Sequence, residues 1–254
     1  MITIDLTGKT AVITGATGEL GRVMTRTLAR AGANVAICYL KAADKAAALQ
    51  QEVAKLGGKC MTVQADITDE KSVPALRDAV AAKLGPADII VNNAVIQYEW
   101  KHVLQQSVAD YESQFRSCVL HNVLMAQAFV PAMIQKKWGR VIAINTECAM
   151  QNQPNQSAYV SGKRGMDGVL RCLAREVGGH GITVNQVAPG WTISDKYRGT
   201  DQERQPEYEK NVALKRRGYD QDIANAVAFL ASNMAEFITG AYLPVCGGNV
   251  MPCI

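Results

Sequence analysis

The sequence predicts an α/β protein: a doubly wound, parallel, seven-stranded sheet with helices on both faces. Three observations carry this expectation. Short apolar, β-branched runs alternate with segments whose apolar residues recur at helical spacing. A glycine-rich turn follows the first of those runs. The 254 residues keep up the alternation nearly to the end, with 48% hydrophobic and 20% charged residues, enough apolar mass for a packed core and too much for a disordered chain. Strand–helix repetition implies right-handed crossovers and a sheet covered on both sides. The chain therefore reads as one domain over residues 1–254. Only the polar, charged stretch 194–211 breaks the rhythm, and it reads as an inserted flap spanning about 191–217 between the sixth and seventh strands.

Residues 10–14 (TAVIT) form the first strand, closed by Gly15. Leu20, Val23, Met24, Thr27, Leu28 and Ala31 then mark a helix that Gly32 ends. Residues 34–38 are the second strand, Ala46, Leu49, Val53 and Leu56 the stripe of the second helix, and residues 60–64 the third strand. Ser72 is expected to N-cap the next helix, with Pro74 in its first turn and Val73, Leu76, Val80 and Leu84 on its buried side. Residues 88–91 make the fourth strand. A long helix over 107–136, a strand over 140–145, a helix over 157–178, a strand over 182–187, a helix over 221–232 and a strand over 241–245 complete the pattern.

Composition excludes several function classes. With 27 Lys plus Arg against 23 Asp plus Glu, the formal net charge is +4, and no dense basic tract points to nucleic acid. No apolar run reaches the ~18 residues of a membrane span. The N-terminus shows no basic n-region, apolar h-region or cleavage site, so no signal peptide is expected. The cysteines at 38, 60, 118, 148, 172, 246 and 253 form no CxxC pair, and the histidines are His102, His121 and His180. A metal site or disulfide framework is therefore not expected, and free thiols fit a reducing cytoplasm.

The first chemical motif is Thr14-Gly15-Ala16-Thr17-Gly18-Glu19-Leu20-Gly21, between the first strand and the first helix. Glycines there allow a tight turn and let a helix N-terminus approach a pyrophosphate, so nucleotide binding is expected. With Ala65-Asp66-Ile67, Asn92-Asn93-Ala94, Tyr159-Val160-Ser161-Gly162-Lys163, Asn185, Pro189-Gly190, Ile238-Thr239-Gly240 and Gly247-Gly248 in this order, the chain resembles the short-chain dehydrogenase/reductase family. Its layout is close to that of the 3-oxoacyl-carrier-protein reductases in that family. The resemblance implies a Rossmann fold, a nicotinamide cofactor and interconversion of a ketone and a secondary alcohol.

It also implies roles. Tyr159 would give or take the proton, Lys163 would hold the nicotinamide ribose, and Thr146, thirteen residues before the tyrosine, would polarise the substrate oxygen. Helical spacing independently sets Tyr159 and Lys163 on one face, where an ammonium is expected to lower the phenol pKa from ~10. Against the cofactor the resemblance sets Gly15, Thr17, Gly18, Glu19, Leu20 and Gly21, Tyr39 and Lys41, Asp66 and Ile67, Asn92 and Ala94, and Pro189, Gly190, Thr192 and Ser194. Asp66 would meet the adenine, and Ser194 would stand for a threonine that contacts the carboxamide.

Four positions depart from the family pattern. Thr146 replaces a serine, keeping the hydroxyl but stiffening χ1. Cys118 takes the place of a helix-kinking asparagine of the proton relay, for which Asn122, one turn on, is a candidate substitute. Glu19 stands where a glycine is usual, bringing either a carboxylate towards the pyrophosphate or a solvent-facing helix-start residue. Val95 replaces a glycine after Ala94.

At the end of the second strand the sequence reads Cys38-Tyr39-Leu40-Lys41, with no acid before Asp44. Lys41 would suit a 2′-phosphate, so NADP(H) is expected over NAD(H). Gln97, Tyr98, Glu99, Trp100, Glu147, Met150, Gln151, Gln153 and Trp191 are expected to face the substrate and favour a polar small molecule. The alternatives are a 3-oxoacyl thioester and, in another class, a nucleotide-binding sensor or scaffold with weak or no turnover. The small residues Gly165, Gly168 and Ala174 would suit close helix packing against another subunit, and by resemblance the chain is expected to form a homotetramer, with a dimer as second choice, through the helices at 107–136 and 157–178 and through the last strand and the apolar tail 250–254.

Overall fold

A computed structural model describes residues 3–252. Seven parallel strands lie in the order β3-β2-β1-β4-β5-β6-β7. They are β1 (Thr10–Ile13), β2 (Asn34–Tyr39), β3 (Cys60–Gln64), β4 (Ile89–Asn92), β5 (Gly139–Ile144), β6 (Ile182–Pro189) and β7 (Tyr242–Val245). The order reverses between β1 and β4, which opens a crevice at the carboxyl ends of the strands. β1, β4, β5 and β6 are buried along their whole length, as central strands covered on both faces are.

The helices are α1 (Glu19–Arg30), α2 (Ala43–Ala54), α3 (Ser72–Leu84), α4 (Val108–Gln114), α5 (His121–Lys136), α6 (Cys148–Gln151), α7 (Ser157–Val177), α8 (Pro206–Glu209) and α9 (Asp220–Ala231). One core lies between the sheet and α1, α2 and α9, with Met24, Leu28, Leu49, Ile223 and Val227 at its centre. The other lies under α3, α5 and α7 and holds Leu76, Met125, Phe129, Met133 and Leu170.

Two features of these helices differ from expectation. Ser72 is the first residue of α3, not its cap; Lys71 holds that position without a side-chain bond, and the Ser72 hydroxyl accepts the Asp66 N–H at 2.9 Å. The long helix is not uniform: α4 and α5 are joined by a turn of π-helix, Phe115–Leu120. The continuous segment Val108–Lys136 is long and apolar enough to cross a membrane. Here its apolar face, from Cys118 to Met133, packs on the sheet as core.

The expected helix contacts are also revised in part. A Cβ on Gly165 would lie 2.9 Å from Val119 Cγ2 of the same chain, and Ala174 is buried under Gly240. Ala174 therefore packs within the chain, while Gly165 is exposed beside Val119. Gly168 has open space beside it. Cys253 and Ile254 of the tail lie outside the described residues, while Met251 is exposed.

Candidate active site

At the crevice, β1 runs into Gly15, whose φ of +61° favours glycine. A Cβ there would also lie 3.0 Å from Ala94 Cα. In the first turn of α1, a Cβ on Gly21 would lie 2.2 Å from the Gly15 carbonyl oxygen. Gly18 caps α1 without a side-chain bond, so the first N–H groups of the helix have no side-chain acceptor at the cap. Sequence reasoning did not single out what holds this turn. Asn93 donates its amide to the carbonyls of Thr14 (3.0 Å) and Gly15 (3.1 Å). The Thr14 hydroxyl accepts the N–H groups of Asn93 and Ala94.

Glu19 resolves towards the outward alternative: it is exposed, and its carboxylate accepts from the Arg22 guanidinium at 3.1 Å. Tyr39 is half-buried at the end of β2, and Lys41 is exposed in the loop beyond it. Asp66 is half-buried, with one carboxylate oxygen accepting both the N–H (2.9 Å) and hydroxyl (2.7 Å) of Thr68; Ile67 is buried.

A cleft of about 760 Å³ runs from Glu19, Leu20 and Asn93 past Thr146, Tyr159 and Lys163 to the flap. Thr146 follows β5, and Tyr159 and Lys163 lie one turn apart in α7. The Thr146 hydroxyl accepts the Cys148 N–H at 3.2 Å and shares the cleft with the Tyr159 phenol. The threonine backbone is pinned by Asn145 Oδ1 on its N–H and by the Tyr242 hydroxyl on its carbonyl. Lys163 is buried, donates to the Ile144 carbonyl at 2.5 Å, and has Nζ 5.7 Å from the Tyr159 ring centre.

The expected lowering of the tyrosine pKa is not found. Burial pushes the Tyr159 phenol above its ordinary range, and burial pulls the Lys163 ammonium down. The ammonium is engaged by a backbone carbonyl rather than by the phenol. Trp100 stacks on Tyr159 with ring centres 5.8 Å apart, and the Tyr98 hydroxyl accepts the Tyr159 N–H at 2.8 Å. Of the other loop residues named above, Gln97, Glu147, Gln151, Gln153 and Trp191 line the cleft, with Val95 beside them. Glu99 and Met150 do not: Glu99 pairs with Lys101, and Met150 is exposed.

Cys118 sits inside the π turn, so the helix departs from α geometry here without an asparagine at that position. Asn122 does not present a free amide. It donates to the Cys118 carbonyl at 2.6 Å and accepts from Asn92 at 2.8 Å. Beside it, burial pulls the His121 pKa down to about 3, so the imidazole is neutral at physiological pH.

At the far wall, Pro189 ends β6 and Gly190 passes so close to the Tyr208 hydroxyl that a Cβ would lie 2.6 Å from it. Thr192 donates to the Gly190 carbonyl, and Ser194 is buried with its hydroxyl unpartnered. Arg217 anchors the flap by donating to the carbonyls of Trp191, Thr192, Gln202 and Glu203. The glycine cradle and the orphaned Ser194 hydroxyl both fit a dinucleotide. Among the described residues no cluster of His, Cys, Asp or Glu could hold a metal ion.

The family model described as enoyl-(acyl carrier protein) reductase matches residues 15–249. The chain is 34% identical to 3-oxoacyl-[acyl-carrier-protein] reductase of Escherichia coli (strain K12), over 98% of this chain and 100% of that one. It is 33% identical to the protein of the same name from Staphylococcus epidermidis, over 96% and 99%. Among solved structures, 7α-hydroxysteroid dehydrogenase complexed with NADH and 7-oxo glycochenodeoxycholic acid superposes with a TM-score of 0.88 at 33% identity, covering 98% of this chain and 97% of that one. A Serratia marcescens short-chain dehydrogenase/reductase mutant also gives 0.88, at 30% identity over 96% and 98%.

Proposed function

The chain belongs to the short-chain dehydrogenase/reductase family, an oxidoreductase that uses a nicotinamide cofactor to interconvert a ketone and a secondary alcohol, and from that premise we propose which residues do the work. Tyr159 is the general acid and base, Thr146 the hydroxyl that polarises the substrate oxygen, and Lys163 the cation behind them. The single observation that carries this reading is the convergence of the three side chains, from β5 and α7, on one cleft that begins at the glycine turn.

A bound nicotinamide supplies or accepts the hydride. Gly15, Thr17, Gly18, Leu20 and Gly21 would hold its pyrophosphate half, Asp66, Ile67, Asn92 and Ala94 its adenosine, and Pro189, Gly190, Thr192 and Ser194 its carboxamide end. As negative charge grows on the substrate oxygen, Thr146 stabilises it by hydrogen bonding and Tyr159 delivers its proton. Burial raises the Tyr159 pKa, so the phenol carries the proton that it gives to the substrate oxygen in reduction and takes back in oxidation. Cys118 keeps the local helix geometry of a relay position but brings no amide.

Lys41, at the end of β2 with no acid before Asp44, supports NADP(H) over NAD(H). The polar side chains set in the largely apolar cleft, Gln97, Glu147, Gln151 and Gln153, support a small substrate with polar groups. A 3-oxoacyl thioester is the second reading, favoured by the names of the relatives. Family membership leaves a non-catalytic scaffold without support. Exposed Val108 and Phe115 on the α4 side support subunit contact there, in a homotetramer.

Tyr159→Phe tests the reading. It preserves the ring and removes the transferable proton, so kcat should fall by ~10²–10⁴ with dinucleotide affinity retained in a fluorescence titration. Turnover within a few-fold of the unmodified protein would refute the assignment.

A further inference from the structure

Glu147 directly follows Thr146, lines the cleft, and is only 3% exposed. Its two oxygens accept from the Tyr208 hydroxyl at 2.8 Å and from the Asn249 amide at 2.9 Å. Both donors are neutral, and among the described residues no cation pairs with it. Buried carboxylates are ordinarily paired. With four lone-pair sites and two donors, this one has capacity left. A separate observation points the same way: Gln156, on the same cleft, has a buried side-chain oxygen with no partner. The cleft thus presents one carboxylate with spare lone pairs and one amide oxygen with no partner.

The remaining surface narrows the donor's chemistry. Two of the three tryptophans, Trp100 and Trp191, and four of the eight tyrosines line this cleft. Flat aromatic faces suit the C–H faces of a ring. Side-chain amides need partners that both donate and accept, which hydroxyls do and an ammonium does not. A carboxylate or phosphate would be repelled by Glu147. The cleft's one basic side chain, Lys163, is already engaged by a carbonyl. An acyl chain offers no donor at all.

Building on the ketone/alcohol reading, we propose that the substrate is a neutral polyhydroxylated ring compound and that Glu147 selects it by accepting hydrogen bonds from hydroxyls beside the reacting carbon.

The test compares trans-1,2-cyclohexanediol with cyclohexanol, using the full chain saturated with oxidised cofactor. The diol should be preferred in kcat/KM by about tenfold or more, because a site built to bond a hydroxyl penalises its loss. Glu147→Gln should collapse that preference at least about tenfold, mainly through KM. A ratio near one in the unmodified protein, or one that Glu147→Gln leaves in place, overturns the proposal. So does a preference for 2-aminocyclohexanol over the diol. Turnover of cyclohexanol that Tyr159→Phe abolishes would, in those cases, leave the ketone/alcohol reading intact. If neither probe turns over, tryptophan fluorescence decides: quenching by myo-inositol but not by lactate supports the proposal, and equal or absent quenching overturns it.

Discussion

The glycine-turn end of the cleft and its flap end are built from different material. At the turn the constraints are backbone ones: a positive φ at Gly15, and a Gly21 so close to the Gly15 carbonyl that any Cβ would collide at 2.2 Å. The polar side chains nearby, Thr14 and Asn93, bond mostly to backbone. At the flap end the constraint is a set of side chains from distant segments. Tyr208 reaches Glu147 across 61 positions of sequence, and Asn249 reaches it across 102. One end is thus shaped to admit an invariant group against main chain. The other presents a pattern of side-chain donors and acceptors brought together from just after β5, the flap and the C-terminal segment.

That contrast breaks most directly at Gly21. Gly21→Ala inserts a Cβ against backbone atoms of the turn, which has no flexible side chain to give way. Dinucleotide affinity should fall by about 100-fold, in the range of other misplacements of ~1 Å in a positioning site. A titration showing affinity within threefold would mean that the turn yields, and that the backbone account of this end is wrong.

Between the two ends, Thr146→Ala removes a hydroxyl that lines the cleft beside Tyr159 and should lower kcat by about 10²-fold, the low end of losing a transition-state donor. Thr146→Ser retains the donor and should stay near the unmodified rate. Cys118→Asn restores the relay amide and should raise the rate about threefold if proton delivery limits it. Pre-steady-state rates that do not change in any of the three would remove Thr146 and Cys118 from the mechanism.

The two ends also differ in how much of them could be read from sequence. Gly15, Gly18 and Gly21, and the Tyr159–Lys163 pair, are local patterns whose spacing implies their geometry. The alternation of strand and helix was equally local, and the elements observed lie within a few residues of those expected. What escaped was carried by tertiary contact. The Asn93–Thr14 staple joins β1 to β4, the Trp100–Tyr159 stack joins a loop to α7, and the π turn at Cys118 has no periodicity signature in six residues. The direction of the Tyr159 shift is not legible in the sequence for the same reason. Helical spacing places an ammonium near the phenol, but the sequence cannot say that Ile144 O takes the ammonium or that the phenol is desolvated.

Cofactor preference offers a smaller effect and sharpens the turn end. Lys41 is exposed after β2, so a contact with a 2′-phosphate would be worth about 1 kcal/mol, or roughly fivefold. Lys41→Asp removes that attraction and adds repulsion. The NADPH-to-NADH ratio of Kd values should rise about tenfold, with NADH itself nearly unaffected. Equal weakening of both would make Lys41 ordinary solvated surface.

The smallest expected effect concerns the flap end and has the opposite sign to most substitutions. Burial raises the Glu147 pKa above the ordinary carboxylate value, against the lowering influence of Asn249 and Tyr208. The folded chain therefore holds that proton more tightly than the unfolded chain does. The resulting stabilisation is fully present below the unfolded value of ~4.3 and is lost as pH rises through the raised folded value. At pH 8 the ionised carboxylate is thus a net cost to the fold, consistent with a group kept for binding. Glu147→Gln removes the charge and keeps an oxygen for the Tyr208 hydroxyl, and Asn249 can turn its amide to present its own oxygen. Thermal unfolding at pH 8 should shift up by about 2 °C, and the gain should shrink as the pH falls through the raised value and the unmodified carboxyl takes up its proton. A fall of several degrees at pH 8 would instead make the carboxylate a pin between β5, the flap and the C-terminal segment, and the flap end would then be as structural as the glycine turn.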